Sequence, residues 1–169
     1  IDTAQAIIDQ DGDAYLSMPE AERLTYFKDR AYAEKLKALK HDLAVFNVQY
    51  DQWFSERTLH PAAIQAACEE LKARGKAYEK DGALWLHSTE YGDDKDRVII
   101  RDNGVPTYLA ADIAYHKNKY ERGFKKMINI WGADHHGYVK RCEAMLAAWG
   151  RPGALEVMLG QLVNLYRDG

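Results

Sequence analysis

The segment from Met127 to Trp149 limits the possible folds of this chain more than any other. Met127-Ile128-Asn129-Ile130-Trp131 has the composition of a largely buried strand, and a glycine-bounded turn follows it at once. From about Gly137 to Trp149 apolar residues recur at the three- and four-residue steps of a helix, as they do from about Leu109 to Arg122. Helices that alternate with strands across short turns are typical of a parallel α/β layer, which is therefore predicted here.

The start of the chain has a different rhythm. The apolar spacing from Ala4 to about Leu43 is helical, and Gly12 and Pro19 are its only strong breaks, so two helices are predicted. Ser17 is expected to cap the second helix, because a serine hydroxyl can accept a hydrogen bond from a free N–H of the first turn. The β-branched and aromatic residues of Leu43–Tyr50 then predict a strand or an extended segment.

The middle of the chain combines one helix with two strands. Pro61–Arg74 is predicted to be a helix that ends at Gly75, a residue type favoured just after a helix. Ala83–His87 and Arg97–Arg101 are predicted strands on either side of a polar segment, which together form a hairpin-like insert.

Composition narrows the classes of protein. With 169 residues, 47% of them hydrophobic and 29% charged, the chain has room for one globular domain or one domain plus a lobe. The net charge of -3 argues against a protein that binds nucleic acid over its whole surface. Cys68 and Cys142 are expected to be reduced thiols, and no apolar run reaches the about 18 residues of a membrane span.

The turn Gly132-Ala133-Asp134-His135-His136-Gly137 is the sharpest candidate site. Ligands of open α/β sheets bind at the carboxyl ends of strands, where glycine allows close approach to the backbone. Asp134 could accept hydrogen bonds from a ribose or an ammonium group, and the two histidines could donate to phosphate. The structural alternative is that the glycines only make turns and the polar side chains cap the next helix.

Three other groups of residues are weaker candidates. Tyr108 and Asp112 lie four residues apart on a predicted helix, where they could grip a cation, and His116 continues the row; such spacing more often marks a surface pair. Glu56 follows two aromatic residues and needs a partner, by default an internal arginine such as Arg57. The run Gly92–Arg97 lacks the spacing of a calcium loop and is interpreted as a solvated turn.

In this order, the segments resemble the bacterial type of arginyl-tRNA synthetase, a class I family with a split Rossmann core. The resemblance covers nearly the whole chain and is weakest before Leu43. It is carried by five segments, which are Phe46–Glu56, Tyr91–Val98, Tyr108–His116, Arg122-Gly123-Phe124 and Gly132–Tyr138.

The resemblance implies a division of the chain and a larger parent protein. Residues 1–100 would be a helical segment and a mixed α+β connective insertion, and residues 101–169 the second half of a Rossmann-like nucleotide-binding fold. The HIGH-type and KMSK-type motifs of the family are expected outside the chain. The start at Ile1 without Met and the ending Arg167-Asp168-Gly169 accordingly suggest that both ends are cut.

The resemblance also assigns candidate binding residues. A planar guanidinium with five donors calls for carboxylates in fixed orientation, and the arginine pocket of the family falls on Glu56, Tyr108 and Asp112. His135 would lie near the α-amino group of arginine or the ribose of ATP. The remaining nucleotide-binding candidates are Gly132, Asp134 and His136. No catalytic side chain and no metal ligand is assigned.

The reaction implied for the parent is activation of L-arginine by ATP with Mg²⁺, followed by transfer of the arginyl group to tRNA(Arg) in the cytoplasm. Because that chemistry depends on positioning and charge stabilisation by the absent motifs, the chain alone is expected to bind arginine weakly and to form no adenylate. Two alternatives remain open: a manganese-dependent phosphoesterase, suggested by Asp134-His135-His136, and a non-catalytic paralogue that only binds ligands.

Overall fold

The structure is a computed structural model that describes residues 2–167, of Asp2 the backbone alone. Ile1, Asp168 and Gly169, on which the expectation of cut ends depends, lie outside the described residues. The chain divides into two compact units, Ile1–Trp53 and Phe54–Gly169. Each unit is described by itself.

The first unit contains helix α1, Asp2–Asp11, and helix α2, Glu20–Val45. The two predicted helices are thus confirmed, but the predicted cap at Ser17 is wrong. Pro19 is the residue that precedes α2, and no side chain caps the helix. The extended backbone of Pro19, with φ -52° and ψ 139°, starts the helix at Glu20 and leaves Ser17 in the preceding turn.

Of the strand or extended segment predicted for Leu43–Tyr50, the strand is wrong, because α2 continues to Val45 and none of these residues pairs with a strand. Residues 48–50 lie outside any helix or strand. The helix ends when the N–H of Asn47 donates to the Ala44 carbonyl and the N–H of Val48 to the Leu43 carbonyl. Asn47 adopts φ +57°, a left-handed conformation that asparagine tolerates at a helix end. This local hydrogen bonding outweighs the strand preference of the side chains.

The second unit begins with a short 3-10 helix, Glu56–Leu59, and helix α3, Ala62–Ala73, which ends as predicted before Gly75 at φ +66°. Strands β1, Ala77–Lys80, β2, Ala83–Leu86, and β3, Arg97–Ile100, form an antiparallel sheet in that order. The predicted pair β2 and β3 is confirmed, whereas β1 was not predicted. A 3-10 helix, Ser88–Tyr91, lies between β2 and β3.

The loop before β3 is not the solvated turn that its composition predicted. The side chain of Asp93 is only 3% exposed and accepts two hydrogen bonds of 2.8 Å from the Arg97 guanidinium. Asp96 accepts hydrogen bonds from Thr89 and from the hydroxyl of Tyr78. Asp93 and Asp96 are therefore bonded inside the loop, where the paired guanidinium and carboxylate of Arg97 and Asp93 offset the cost of burial.

The remaining elements form the predicted parallel α/β layer. They are helix α4, Tyr108–Glu121, strand β4, Met127–Gly132, a 3-10 helix, Ala133–Tyr138, helix α5, Val139–Ala148, and strand β5, Leu155–Gly160. Strands β4 and β5 are parallel, with Met127 opposite Leu155 and Gly132 opposite Gly160.

The core of the second unit is formed by side chains of α3, α4 and α5 and by the inner residues of the strands. Its largest buried apolar side chains include Ile64, Leu71, Leu86, Ile99 and Met145. Cys68 and Cys142 are buried free thiols. On β4, Met127 and Asn129 are buried while Ile130 is 77% exposed, so one face of that strand is covered. None of the described helices is long and apolar enough to cross a membrane.

Candidate functional site

The first turns of α4 carry a row of polar side chains that passes from solvent into the core. Thr107 anchors the start of the helix, since its hydroxyl donates to the Val98 carbonyl at 3.0 Å. Tyr108 is 85% exposed, Asp112 one turn later is partly buried, and His116 is 2% exposed. The three residues therefore have different environments, from solvent to core, although they share one helix face.

Asp112 is a partly buried carboxylate with a phenolic partner. The hydroxyl of Tyr138 donates to Asp112 Oδ2 at 2.7 Å. Burial raises the pKa of Asp112, and the negative charge of Glu56 raises it further, while the Tyr138 hydrogen bond and the charge of Lys119 lower it. Within residues 2–167, no Lys or Arg nitrogen lies within 4 Å of this carboxylate.

His116 belongs to the core. Its Nδ1 lies 2.8 Å from the Asp112 carbonyl oxygen, which can only accept, so Nδ1 donates and Nε2 accepts from the Asn129 amide at 2.9 Å. Burial lowers the pKa of His116 to about 4, so the ring is neutral at pH 7. His116 thus links α4 to β4 and bonds the backbone carbonyl of Asp112.

Glu56 starts the short 3-10 helix before α3. Its Oε1 lies 3.1 Å from Nε2 of His60, which is the internal partner observed for this carboxylate. Phe54 stacks on Tyr115 with ring centroids 4.9 Å apart, and this contact holds the segment against α4. The 3-10 helix that carries Glu56 contacts α4, and the charge of Glu56 raises the pKa of Asp112.

The turn after β4 presents its polar side chains to solvent. Asp134, His135 and His136 are all exposed, and His135 Nε2 lies 3.6 Å from Asp134 Oδ2. The Asp134 carboxylate lies over Gly132, where a β-carbon would collide with it. No side chain of this turn caps the 3-10 helix or α5, so the capping alternative is wrong.

Tyr138 connects the two groups of candidate residues, and the sequence interpretation gave it no role. It follows Gly137 directly, and its hydroxyl reaches across to Asp112 on α4. The available signal was its place immediately after the glycine-bounded turn. That place alone does not reveal that the tyrosine is aimed at a carboxylate 26 residues earlier.

The donor set does not fit a metal centre built by this part of the protein. Nowhere in residues 2–167 are three or more His, Cys, Asp or Glu side chains gathered as metal ligands. The manganese-dependent phosphoesterase alternative requires such a group, and Asp134 with its two histidines does not provide it.

Comparison with known proteins identifies clear relatives. A family model described as "tRNA synthetases class I (R), catalytic domain" matches residues 11–157. The chain is 49% identical to the arginine–tRNA ligase of Geobacillus kaustophilus (strain HTA426), over 100% of this chain and 31% of the relative. It is 53% identical to the arginine–tRNA ligase of Moorella thermoacetica (strain ATCC 39073 / JCM 9320), over 94% of this chain and 29% of the relative.

A solved structure has the same fold. The crystal structure of a protein assigned as an arginyl-tRNA synthetase from Campylobacter jejuni matches with a TM-score of 0.89 and 42% identity, over 99% of this chain and 37% of that chain. These matches confirm the predicted α/β fold class with its Rossmann-like core. The chain spans about a third of the length of the curated relatives named above.

Proposed function

The chain belongs to the family of class I (R) tRNA synthetase catalytic domains, and on that premise we propose that it provides the arginine-binding surface of an arginine–tRNA ligase. The observation that carries the proposal is the environment of the Asp112 carboxylate. This carboxylate is partly buried and has no cationic partner within 4 Å among residues 2–167, and the charge of Glu56 raises its pKa. Two carboxylates near one another favour a cationic ligand.

The proposed ligand is L-arginine. A guanidinium is planar, always charged and donates up to five hydrogen bonds, so it can engage Asp112 and Glu56 together, whereas a lysine ammonium lacks that fork. The exposed phenol of Tyr108, on the first turn of α4, is free to cover the ligand. His135 is proposed to contact the α-amino group of arginine or the ribose of ATP.

The turn after β4 is proposed as the partial nucleotide site. Gly132, Asp134 and His136 lie at the carboxyl end of a parallel strand, the usual place for ligands of open α/β sheets. ATP, with its Mg²⁺, and tRNA(Arg) are proposed as partners of the parent protein, and the cytoplasm as its location. Residues 1–100 are proposed as the helical segment and connective insertion, and residues 101–169 as the second half of the catalytic core.

In the proposed reaction the arginine carboxylate attacks the α-phosphorus of ATP, pyrophosphate leaves, and the arginyl group then passes to the terminal ribose of the tRNA. No protein nucleophile is needed, so the residues of this chain only bind and orient. The 169-residue chain is accordingly proposed to bind arginine weakly and to form no adenylate.

The test is isothermal titration of the chain with L-arginine and with L-lysine. Arginine should bind more tightly than lysine, and Asp112→Asn should weaken arginine binding at least about tenfold, because one charge-assisted hydrogen bond is lost. Asp81→Asn is the matched control, since Asp81 lies in the exposed turn between β1 and β2. Equal binding of both amino acids, or no effect of Asp112→Asn, contradicts the proposed pocket.

The expected lack of chemistry is tested by ATP–pyrophosphate exchange with the same purified chain. Exchange should stay at background, because the groups that stabilise the transition state are proposed to lie elsewhere in the parent. Arginine-dependent exchange above that background refutes this part of the proposal.

A further inference from the structure

Tyr138 is held in place at the end of the turn that follows β4. Its ring lies against the Trp131 ring, with centroids 5.9 Å apart, and the Arg141 guanidinium lies over it at 5.6 Å. Its hydroxyl donates to Asp112 Oδ2 at 2.7 Å. Burial and the neighbouring Asp112 charge raise the pKa of Tyr138 well above its ordinary range, so the phenol remains a donor at physiological pH.

Asp112 is consequently linked twice to the segment that contains β4 and the start of α5, once directly and once through His116 of α4. Tyr138 holds the carboxylate, while His116, itself bonded to Asn129 of β4, holds the backbone carbonyl. A carboxylate has two oxygens, and the phenol occupies Oδ2. Among residues 2–167 no hydrogen bond to Oδ1 is observed, so Oδ1 is left for a ligand, and the side chain loses less rotational freedom when that ligand binds.

We propose that Tyr138 is a positioning residue for arginine recognition, which fixes the Asp112 carboxylate so that Oδ1 receives the guanidinium. The inference rests on the proposed function of Asp112 and adds a residue that does not touch the ligand. A purely structural tyrosine would contribute to folding without changing how Asp112 binds arginine.

The affinity for arginine and its pH dependence separate these roles, and the titration of Asp112 shows that the hydrogen bond has been removed. The charged or titratable groups that act on Asp112 and its phenol are Glu56 before α3, Lys119 on α4, Tyr138, and Arg141 and Cys142 on α5. The hydrogen bond from Tyr138 lowers the pKa of Asp112. Removing the hydroxyl should therefore raise the pKa of Asp112 and move the loss of arginine binding to higher pH.

The experiment compares the wild-type chain with Tyr138→Phe by two measurements. Carboxyl ¹³C NMR follows the titration of Asp112 without ligand, and isothermal titration gives the dissociation constant of L-arginine from pH 5 to pH 8. In Tyr138→Phe we expect a higher Asp112 pKa, about fivefold weaker arginine binding at pH 7, and an acid limb shifted to higher pH. The fivefold loss corresponds to one net hydrogen bond.

Tyr120→Phe is the matched control. Tyr120 lies on α4, as Asp112 does. Lys125 and Arg151 contact its ring, at 3.9 and 4.3 Å from the centroid, and its hydroxyl has no hydrogen bond within the part of the chain that the structure describes. This variant should keep the wild-type Asp112 titration and arginine affinity. Thermal unfolding of both variants shows that each is folded.

The outcomes separate the inference from its premise. If the wild-type chain binds no arginine, the proposed function fails and the role of Tyr138 fails with it. If the wild type binds arginine and Tyr138→Phe has unchanged affinity or an unchanged Asp112 titration, only the inference on Tyr138 is overturned.

Discussion

Asp112 and His116 lie one turn apart on α4, and burial acts on both. It raises the pKa of the carboxyl and lowers that of the imidazole, because a low-dielectric environment disfavours the charged form of each. Asp112 is only partly buried, so a ligand can reach its carboxylate. His116 is enclosed and uses both ring nitrogens for internal hydrogen bonds.

His116 should make the chain less stable in mild acid. Its pKa in the folded chain is about 4, below the ordinary 6.5, so the unfolded chain binds the proton more readily as the pH falls. The stabilisation is therefore complete above pH 6.5 and is lost as the pH falls from 6.5 towards 4. Between pH 7 and pH 5 the free energy of unfolding should fall by about 2 kcal/mol from this residue alone.

Urea unfolding at both pH values checks the prediction, with His116→Gln as the comparison. Other groups titrate in the same range and contribute to both proteins, so the difference in pH dependence isolates His116. If the two proteins lose the same free energy between pH 7 and pH 5, His116 is not the neutral core residue described above.

At the scale of elements, the loop from Ser88 to β3 shows that an acidic run can be a structural part of a sheet. Asp93 pairs with Arg97 at the start of β3, and the Ser88 hydroxyl donates to the Lys95 carbonyl at 2.8 Å. The Arg97 guanidinium holds the pKa of Asp93 well below its ordinary range. The loop thereby fixes the start of β3, the strand that precedes Thr107 and α4.

Asp93→Ala should destabilise the second unit by about 3 kcal/mol, because it leaves the partly buried Arg97 without its main partner. Asp94→Ala is the control, since its side chain is 76% exposed and its removal should cost about 0.5 kcal/mol or less. Both values come from denaturant unfolding at pH 7. Similar losses in the two variants contradict a structural role specific to Asp93.

At the scale of the whole molecule, the two units differ in how much side-chain surface they bury. The core of the second unit is contributed by several helices and strands. In the first unit α2 has no buried residue within the described part of the chain, and an apolar cavity of about 720 Å³ lies along α1 and α2. Little apolar burial means that local opening costs little free energy.

Amide hydrogen exchange should therefore be at least about tenfold faster in the middle of α2 than in the middle of α3. The two helices have ordinary backbone hydrogen bonds, so the contrast measures packing rather than helix formation. Mass spectrometry of peptides within Glu20–Val45 and Ala62–Ala73 gives the comparison. Equal amide protection in α2 and α3 would contradict the expectation that little apolar burial makes α2 easy to open.

Much of the fold could be predicted from sequence, because apolar spacing directly records which side of an element is buried. That argument found α3, α4, α5 and the strands β2, β3 and β4. It failed at β1, where Glu79 and Lys80 are exposed and the alternation is weak, and at the end of α2, where local hydrogen bonds decide the conformation. The assigned roles of Glu56, Tyr108, Asp112, Gly132, Asp134, His135 and His136 remain predictions.

Residue pattern was enough to predict the α/β class of the last third, the family resemblance, and which side chains are candidates for binding arginine and nucleotide. The contact of Tyr138 with Asp112, the place of His116 in the core and the burial of Asp93 against Arg97 are visible in the folded chain alone. Periodicity is a local property of the chain. Desolvation and hydrogen-bond partners depend instead on which segments meet in space.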